Sequence, residues 1–310
     1  MYAFGIDIGG TKIKIGIFDD EHNLIDKWSI NTSSKTLFSD LSSSILEYCR
    51  MNRIDKDDIL GYGIGVPGYV KNNIALNCVN LGWRNVDVVK EFKKAIGYDA
   101  NVSLLNDAKL AAFGEYTKSN GKYSSLVFVT LGTGIGGGII TDGFIQEGAH
   151  GLCGEIGHIV IDNEFKYKCS CGKLGCFETV ASATGILRLA NDLVKNNNLS
   201  LAKNYFLSAK DVIDSAKEGN KIAQQALDIA CKYIGKVFAI LSLAINPNAF
   251  VIGGGVSEAG DYLLEKIKKY YYLECFTDAN QVDIVLSQLK NDAGIYGASA
   301  LIIKNNKEVS

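Results

Sequence analysis

His158, Cys169, Cys171 and Cys176 follow the spacing His-x10-Cys-x-Cys-x4-Cys. Imidazole and thiolate are ligands that Zn²⁺ favours, and four of them within nineteen residues suit a closed tetrahedral site of the Cys3His kind. Gly172 and Gly175 supply the turns that let three sulfurs converge. With four protein ligands no position stays open for a reacting water, so the expected metal is structural and holds a loop that does not fold alone. A disulfide is the competing use of these thiols. The first residues lack the basic, apolar character of a secretory leader, so a cytoplasmic, reducing setting is expected and the disulfide is disfavoured. Cys49, Cys78, Cys153, Cys231 and Cys275 are scattered and read as small buried hydrophobes.

Three glycine clusters could face phosphate. Gly9-Gly10-Thr11-Lys12 follows the alternating run Tyr2 to Ile8 and leads into Ile13 to Phe18; Gly132-Thr133-Gly134 joins Leu126–Leu131 to Ile135–Ile140. With an offset of 123 residues, Gly9 falls on Gly132 and Asp7 on Thr130. Period-two apolar runs around a glycine turn read as a β-hairpin. Gly132-x-Gly134-x-x-Gly137 matches the letters of the dinucleotide fingerprint, and Gly5 to Lys12 nearly fits a P-loop. Both of those motifs open a helix, whereas a strand follows here, so neither standard reading holds. What remains is a hairpin whose bare N–H groups and Thr or Lys side chains face a phosphate, close because glycine has no Cβ. Two ordinary tight turns are the alternative. Gly253-Gly254-Gly255 lies between the strand Ala249 to Ile252 and a helix containing Leu263, Leu264 and Ile267, a turn suited to a nucleoside. Three such turns together point to ATP.

Asn106-Asp107 ends an apolar strand and starts a helix. Asp there can serve as an N-cap, worth about 1 kcal/mol. In a phosphoryl-transfer site a carboxylate in this place can instead orient an alcohol and take its proton. Asn80-Leu81-Gly82-Trp83 could give a sugar an amide and an aromatic face, although Trp83 suits a core equally well. Glu155 and Glu178 bracket the cysteine cluster, and carboxylates accept hydrogen bonds from sugar hydroxyls.

The elements that must position these groups are legible in outline. A strand is expected over Asn23 to Ile30, a helix over 36–52, a strand over Tyr62 to Val66 and a helix over Val86 to Ile96. A strand over Val102 to Leu105 and a helix over Ala108 to Lys118 follow, with a boundary near Tyr116 to Ser124. Residues 195–204 are expected as a polar loop, and the chain from there to about 245 as helix. Strands lead and helices alternate later, so the sheets should be mixed. A chain of 310 residues is long enough for two domains around a cleft. The repeated hairpin suggests two related halves. With 34 acidic against 32 basic residues, no basic excess marks a nucleic-acid partner. The longest apolar stretch, Val237 to Ile245, is too short to span a membrane and reads as a buried helix ended near Pro247.

DIGGTK (7–12), VPG (66–68), NLGW (80–83), NDA (106–108), LGTGIGGG (131–138), GEIGH (154–158), CSCGKLGCFE (169–178), IGGG (252–255) and NDAGIYGAS (291–299) resemble the ROK family of repressors, open reading frames and kinases, and most of all its bacterial glucokinases. The resemblance spans essentially the whole chain. It implies an α/β, actin-like (ribonuclease H-like) ATPase fold with two domains, 1–117 and 118–292, and a C-terminal helix at about 293–310 returning to the first. It implies that Asp7, Gly9, Gly10, Thr11, Lys12, Gly132, Thr133, Gly134, Gly136, Gly137, Gly254 and Gly255 hold ATP with Mg²⁺. Asp107 would be the general base for a sugar 6-hydroxyl. Gly68, Asn80, Asn106, Glu155, His158 and Glu178 would bind the other hydroxyls, His158 also ligating zinc. A homodimer is implied too. Lys109 stands where the family often has a second asparagine, and Phe177 where leucine is usual. A strand beginning at Tyr2 leaves no room for the DNA-binding helices of a repressor, so an enzyme is expected.

Overall fold

Alternating apolar side chains close the first hairpin as expected, β1 (Tyr2–Ile8) against β2 (Lys12–Asp19) in antiparallel register. The computed structural model describes residues 1–196, 205–276 and 281–309. After β3 (Leu24–Asn31) come α1 (Leu37–Asn52), β4 (Ile59–Val66) and a small antiparallel sheet of β5 (Tyr69–Lys71), β6 (Ile74–Cys78) and β7 (Trp83–Asp87). Then follow α2 (Val88–Ile96), β8 (Val102–Asn106) and α3 (Asp107–Lys118). The expected helix over Val86 to Ile96 begins only at Val88. Val86 pairs with Ala75 in the small sheet, and the Asp87 side chain accepts the Lys90 N–H at 3.0 Å, capping the helix behind it.

The chain forms two compact units. The first takes in Met1–Lys122, Gly143–Cys153 with the short β11 (Phe144–Ile145), and the chain from Asn291 onward. Its sheet runs β3-β2-β1-β4-β8, with β1 antiparallel to β2 and parallel to β4, so it is mixed as expected. Strand β1 is buried along most of its length and reads accordingly as a nearly unbroken apolar run. Leu37, Leu41, Ile45 and Cys49 recur at helical spacing and give α1 its one buried face.

The C-terminal helix α9 (Ala293–Val309) lies on this sheet and on α3 at backbone contact distance. A Cβ at Gly5 would sit 1.9 Å from the Ile295 carbonyl oxygen, one at Gly63 2.0 Å from that of Ala298, and one at Gly297 1.7 Å from that of Leu110. Backbone cannot swing aside as a side chain can, so these glycines set how closely α9 docks. Gly63→Ala should lower stability by about 3 kcal/mol through overpacking. A urea melt showing an unchanged midpoint would remove this account of the seam.

The second unit comprises Tyr123–Asp142 and Gly154–Lys290. Here β9 (Leu126–Leu131), β10 (Ile135–Thr141), β12 (Ala249–Gly253) and β13 (Asp283–Leu286) run in the order β10-β9-β12-β13. An antiparallel hairpin followed by parallel strands repeats the order β2-β1-β4-β8, which is the duplication seen in the two glycine turns. Around it lie α4 (Glu178–Ala181), α5 (Ala183–Asn196), α6 (Ala209–Lys217), α7 (Lys221–Ile245) and α8 (Asp261–Glu274).

Of the expected polar loop, Lys195 and Asn196 close α5, and 197–204 lie outside the described residues. The helix expected onward to 245 is broken instead. Gly219 adopts φ +98°, and the Asn220 side chain accepts the N–H groups of Ile222 and Ala223, starting α7 afresh. Within α7, Val237, Phe238 and Leu241 are buried, with Phe238 stacked on Phe250 at 4.2 Å, but Ile240 and Leu243 are exposed. A helix packed along one face leaves its other face outside, however apolar the run. Among the scattered cysteines, Cys49, Cys78 and Cys231 are buried, whereas Cys153 and Cys275 are only half-buried. Among the described residues no helix is long and apolar enough to cross a membrane.

Candidate active site

In the first unit the β1–β2 turn is braced from behind. Gly9 N–H donates to the Lys12 carbonyl at 3.0 Å, the Thr32 hydroxyl donates to the Gly9 carbonyl at 2.7 Å, and Thr32 N–H donates to the Thr11 carbonyl at 2.9 Å. Thr32 follows the edge strand β3 and carries no sequence signal for this part. Asn80 borders the turn, its carbonyl oxygen 3.4 Å from where a Cβ on Gly10 would lie. Trp83 is buried and stacks on Phe38 at 5.5 Å, which decides its two readings in favour of core. Asp7 lies one residue before the end of β1, with its carboxylate 3.9 Å from the Lys14 ammonium. Burial raises its pKa, and Lys14 pulls the other way.

The helix cap at α3 is Asn106 rather than Asp107. The Asn106 side-chain oxygen accepts the N–H groups of Ala108 and Lys109 at 3.0 and 3.2 Å, and its amide donates to the Gly68 carbonyl at 3.0 Å. Asp107 occupies the first helical position, with one carboxylate oxygen accepting its neighbour's N–H at 2.8 Å. Gly68 has φ +113°, and a Cβ there would meet the Asn77 carbonyl oxygen at 2.3 Å, so this turn requires glycine. Gly68, Asn106 and Asp107 are thus brought together by one strand end, one turn and one helix start.

In the second unit the turn is confined to Gly132–Gly134, where Gly132 N–H donates to the Gly134 carbonyl at 3.0 Å. Gly132 in turn accepts the Ala183 N–H, and the Thr184 hydroxyl donates to the Thr133 carbonyl at 2.9 Å, so the turn is tied to the start of α5. Gly254, φ +83°, packs on the same turn: a Cβ would lie 2.6 Å from the Leu131 carbonyl oxygen. Two of the three glycine clusters are therefore adjacent. Gly136 and Gly137 lie inside β10, and a Cβ on Gly137 would meet the Gly154 carbonyl oxygen at 2.7 Å. That glycine serves a backbone crossing, which seats the chain entering the Glu155–His158 turn.

His158, Cys169, Cys171 and Cys176 place their donor atoms within 4.8 Å of one another, and the group could hold a metal ion. The His158 Nδ1 to Cys169 Sγ distance is 3.5 Å, and Cys171 Sγ to Cys176 Sγ is 3.6 Å. Bond lengths of about 2.0 Å to nitrogen and about 2.3 Å to sulfur put tetrahedral zinc ligands about 3.5 to 3.8 Å apart, a spacing that these two pairs match. Without an ion, burial and the Glu178 carboxylate push the Cys169 thiol up to about 12, while the Lys173 N–H draws Cys171 down. A bound cation removes a ligating thiol's proton outright.

Two acids organise the surroundings. Asp162, 1 % exposed, accepts the N–H groups of Glu164, Phe165 and Lys166 at 2.9 to 3.0 Å and the Tyr233 hydroxyl at 2.9 Å. It folds the loop ahead of the cysteines and ties it to α7; nothing in its sequence context marks it out. Glu178 stands between the metal donors and the glycine turn. One oxygen accepts from Cys169 Sγ at 3.0 Å, and the other lies 3.5 Å from Ile135 N and 2.7 Å from where a Cβ on Gly134 would be. Glu155 immediately precedes the tight turn Ile156–His158 and is half-buried.

The ROK family model matches residues 3–305. The glucokinase of Halalkalibacterium halodurans is 36% identical over 96% of this chain and 94% of that one. The crystal structure of a ROK family glucokinase from Streptomyces griseus in complex with glucose and AMPPNP is similar, with a TM-score of 0.79 at 28% identity over 97% of this chain and 99% of that one. A ROK hexokinase from Thermus thermophilus gives a TM-score of 0.84 at 25% identity over 100% of both chains. The fold is therefore the actin-like ATPase fold.

Proposed function

This chain belongs to the ROK family, and from that membership we propose that it transfers the γ-phosphoryl group of ATP to the 6-hydroxyl of glucose, giving glucose 6-phosphate and ADP. The observation that carries the site assignment is the division of labour at α3. Asn106 caps the helix, so Asp107 is not needed for that purpose. Its carboxylate sits on the first turn, where the helix end favours an anion. In the proposed reaction the O6–phosphorus bond forms as the bond from phosphorus to the β–γ bridging oxygen breaks. Asp107 accepts the hydroxyl proton. The transition state for such transfers is loose, so the acid mainly aligns the alcohol. Mg²⁺, when bound with the nucleotide, would supply charge neutralisation, and Asp7 is a carboxylate we assign to the nucleotide.

We assign the nucleotide to Gly9–Lys12, Gly132–Gly134 and Gly254–Gly255, and the sugar to Gly68, Asn106, Asp107, Glu155, His158 and Glu178. Asn80, which borders the first glycine turn, is assigned to the sugar as well. His158, Cys169, Cys171 and Cys176 would hold a structural Zn²⁺, a reading supported by their spacing. A cytoplasmic homodimer completes the proposal. Light scattering reads the mass.

The decisive test is an ATP-coupled assay across glucose, N-acetylmannosamine, N-acetylglucosamine, fructose and a β-glucoside. Glucose should give the highest kcat/KM. Fast turnover of another sugar beside none on glucose would overturn the substrate assignment and leave the kinase.

A further inference from the structure

Lys109 lies two residues after Asp107 and is 3 % exposed. An apolar side chain would fill the same volume with no charge to desolvate, so a buried ammonium needs a compensating partner. Its partner is the Gly151 carbonyl, to which Lys109 Nζ donates at 2.8 Å. Gly151 belongs to a short strap folded on itself, where Gly151 N–H donates to the Gly148 carbonyl at 3.2 Å and Cys153 N–H to the Glu147 carbonyl at 3.1 Å. Tyr69 holds the strap a second time. Its hydroxyl donates to the His150 carbonyl, and its ring would lie 2.9 Å from a Cβ on Gly151, whose φ is +74°.

These bonds close a ring within the first unit. Asn106 donates to the Gly68 carbonyl; the next residue, Tyr69, donates to His150; the next, Gly151, accepts from Lys109; and Lys109 N–H donates back to the Asn106 side chain. Asp107 and Ala108 are the residues bracketed by this ring. Downstream, the strap runs directly into Gly154, Glu155 and His158.

We propose that Lys109 is a positioning residue for the sugar: by holding the 147–153 strap to the start of α3, it fixes the arrangement of Gly68, Asn106 and Asp107, the sugar-side residues of the first unit. The inference rests on the sugar-kinase reading above. Lys109 touches no reacting atom in this scheme and acts through the Gly151 carbonyl.

The test uses Lys109→Met in the full chain. Sugar KM should rise about tenfold, because the charge-assisted hydrogen bond that ties the strap to α3 is lost. ATP KM should stay within about twofold, since none of the ring's hydrogen bonds involves a residue of the assigned phosphate turns. Amide hydrogen exchange should quicken over residues 147–153 and not elsewhere, a change that general loss of stability does not produce. Unchanged sugar KM, equal rises for sugar and ATP, or faster exchange spread over the first unit would each overturn the proposal. If Lys109→Met does not fold, Tyr69→Phe removes the other tie and should shift exchange and sugar KM in the same direction. A wild-type protein inactive on every sugar would defeat the kinase reading, while the exchange measurement would still report on the strap.

Discussion

Asp107→Asn should lower kcat for sugar phosphorylation by about 1,000-fold, with the KM values for sugar and ATP moving by less than about threefold. The substitution keeps size and shape, and an amide oxygen can still accept the Ala108 N–H. The cap is untouched because Asn106 supplies it. Folding should therefore be preserved, and the melting temperature with it. What disappears is the capacity to accept a proton. General-base contributions commonly amount to about 100- to 10,000-fold, and a loose phosphoryl transfer draws much of its benefit from alignment, hence a middle value. Steady-state kinetics on the preferred sugar decides the matter. Turnover near wild type would refute Asp107 as the base.

Stripping the proposed zinc should raise sugar KM by at least about tenfold and affect ATP less. Cys169 and Cys176 are buried, and their loop contains no regular strand or helix, only turns, the isolated pairings of Val160 with Cys176 and Lys168 with Leu174, and the Asp162 hydrogen bonds. A loop of that kind draws part of its shape from a bound ion. The loss should reach the sugar through two residues: His158, itself a donor, and Glu178, whose carboxylate is 3.0 Å from Cys169 Sγ. Glu178 also borders Gly134, so a smaller effect on ATP is expected rather than none. Chelation followed by metal analysis and calorimetry with each ligand separates the cases. Equal loss of both ligands would indicate global unfolding; no loss for either would sever the link between metal and substrate.

Much of the architecture was legible because its signals are local. Alternation in β1 and β9, helical spacing in α1, and the His-Cys spacing all express geometry within a few residues, and side-chain periods of 2 and 3.6 follow from the backbone alone. The places where the reading needed correction are those where a local preference has two acceptable outcomes. Asn106 and Asp107 can each cap a helix, and the Gly68 carbonyl, 38 residues away, helps choose the first. Trp83 suits a sugar face or a core until Phe38 stacks on it.

By itself, then, the sequence of this protein determined its paired glycine hairpins, its clustered histidine and three cysteines, and the acid that begins α3. Only the tertiary structure decided that Gly143–Cys153 joins the first unit, that Lys109 spends its charge on Gly151, that Asp162 folds the metal loop, and that Gly63 and Gly297 admit α9. The reason is distance along the chain. Lys109 and Gly151 are 42 residues apart, Asp162 and Tyr233 71, and neither partner's neighbours carry any trace of the other. Contacts of that kind are selected by the packing of whole elements, which no short window of sequence contains.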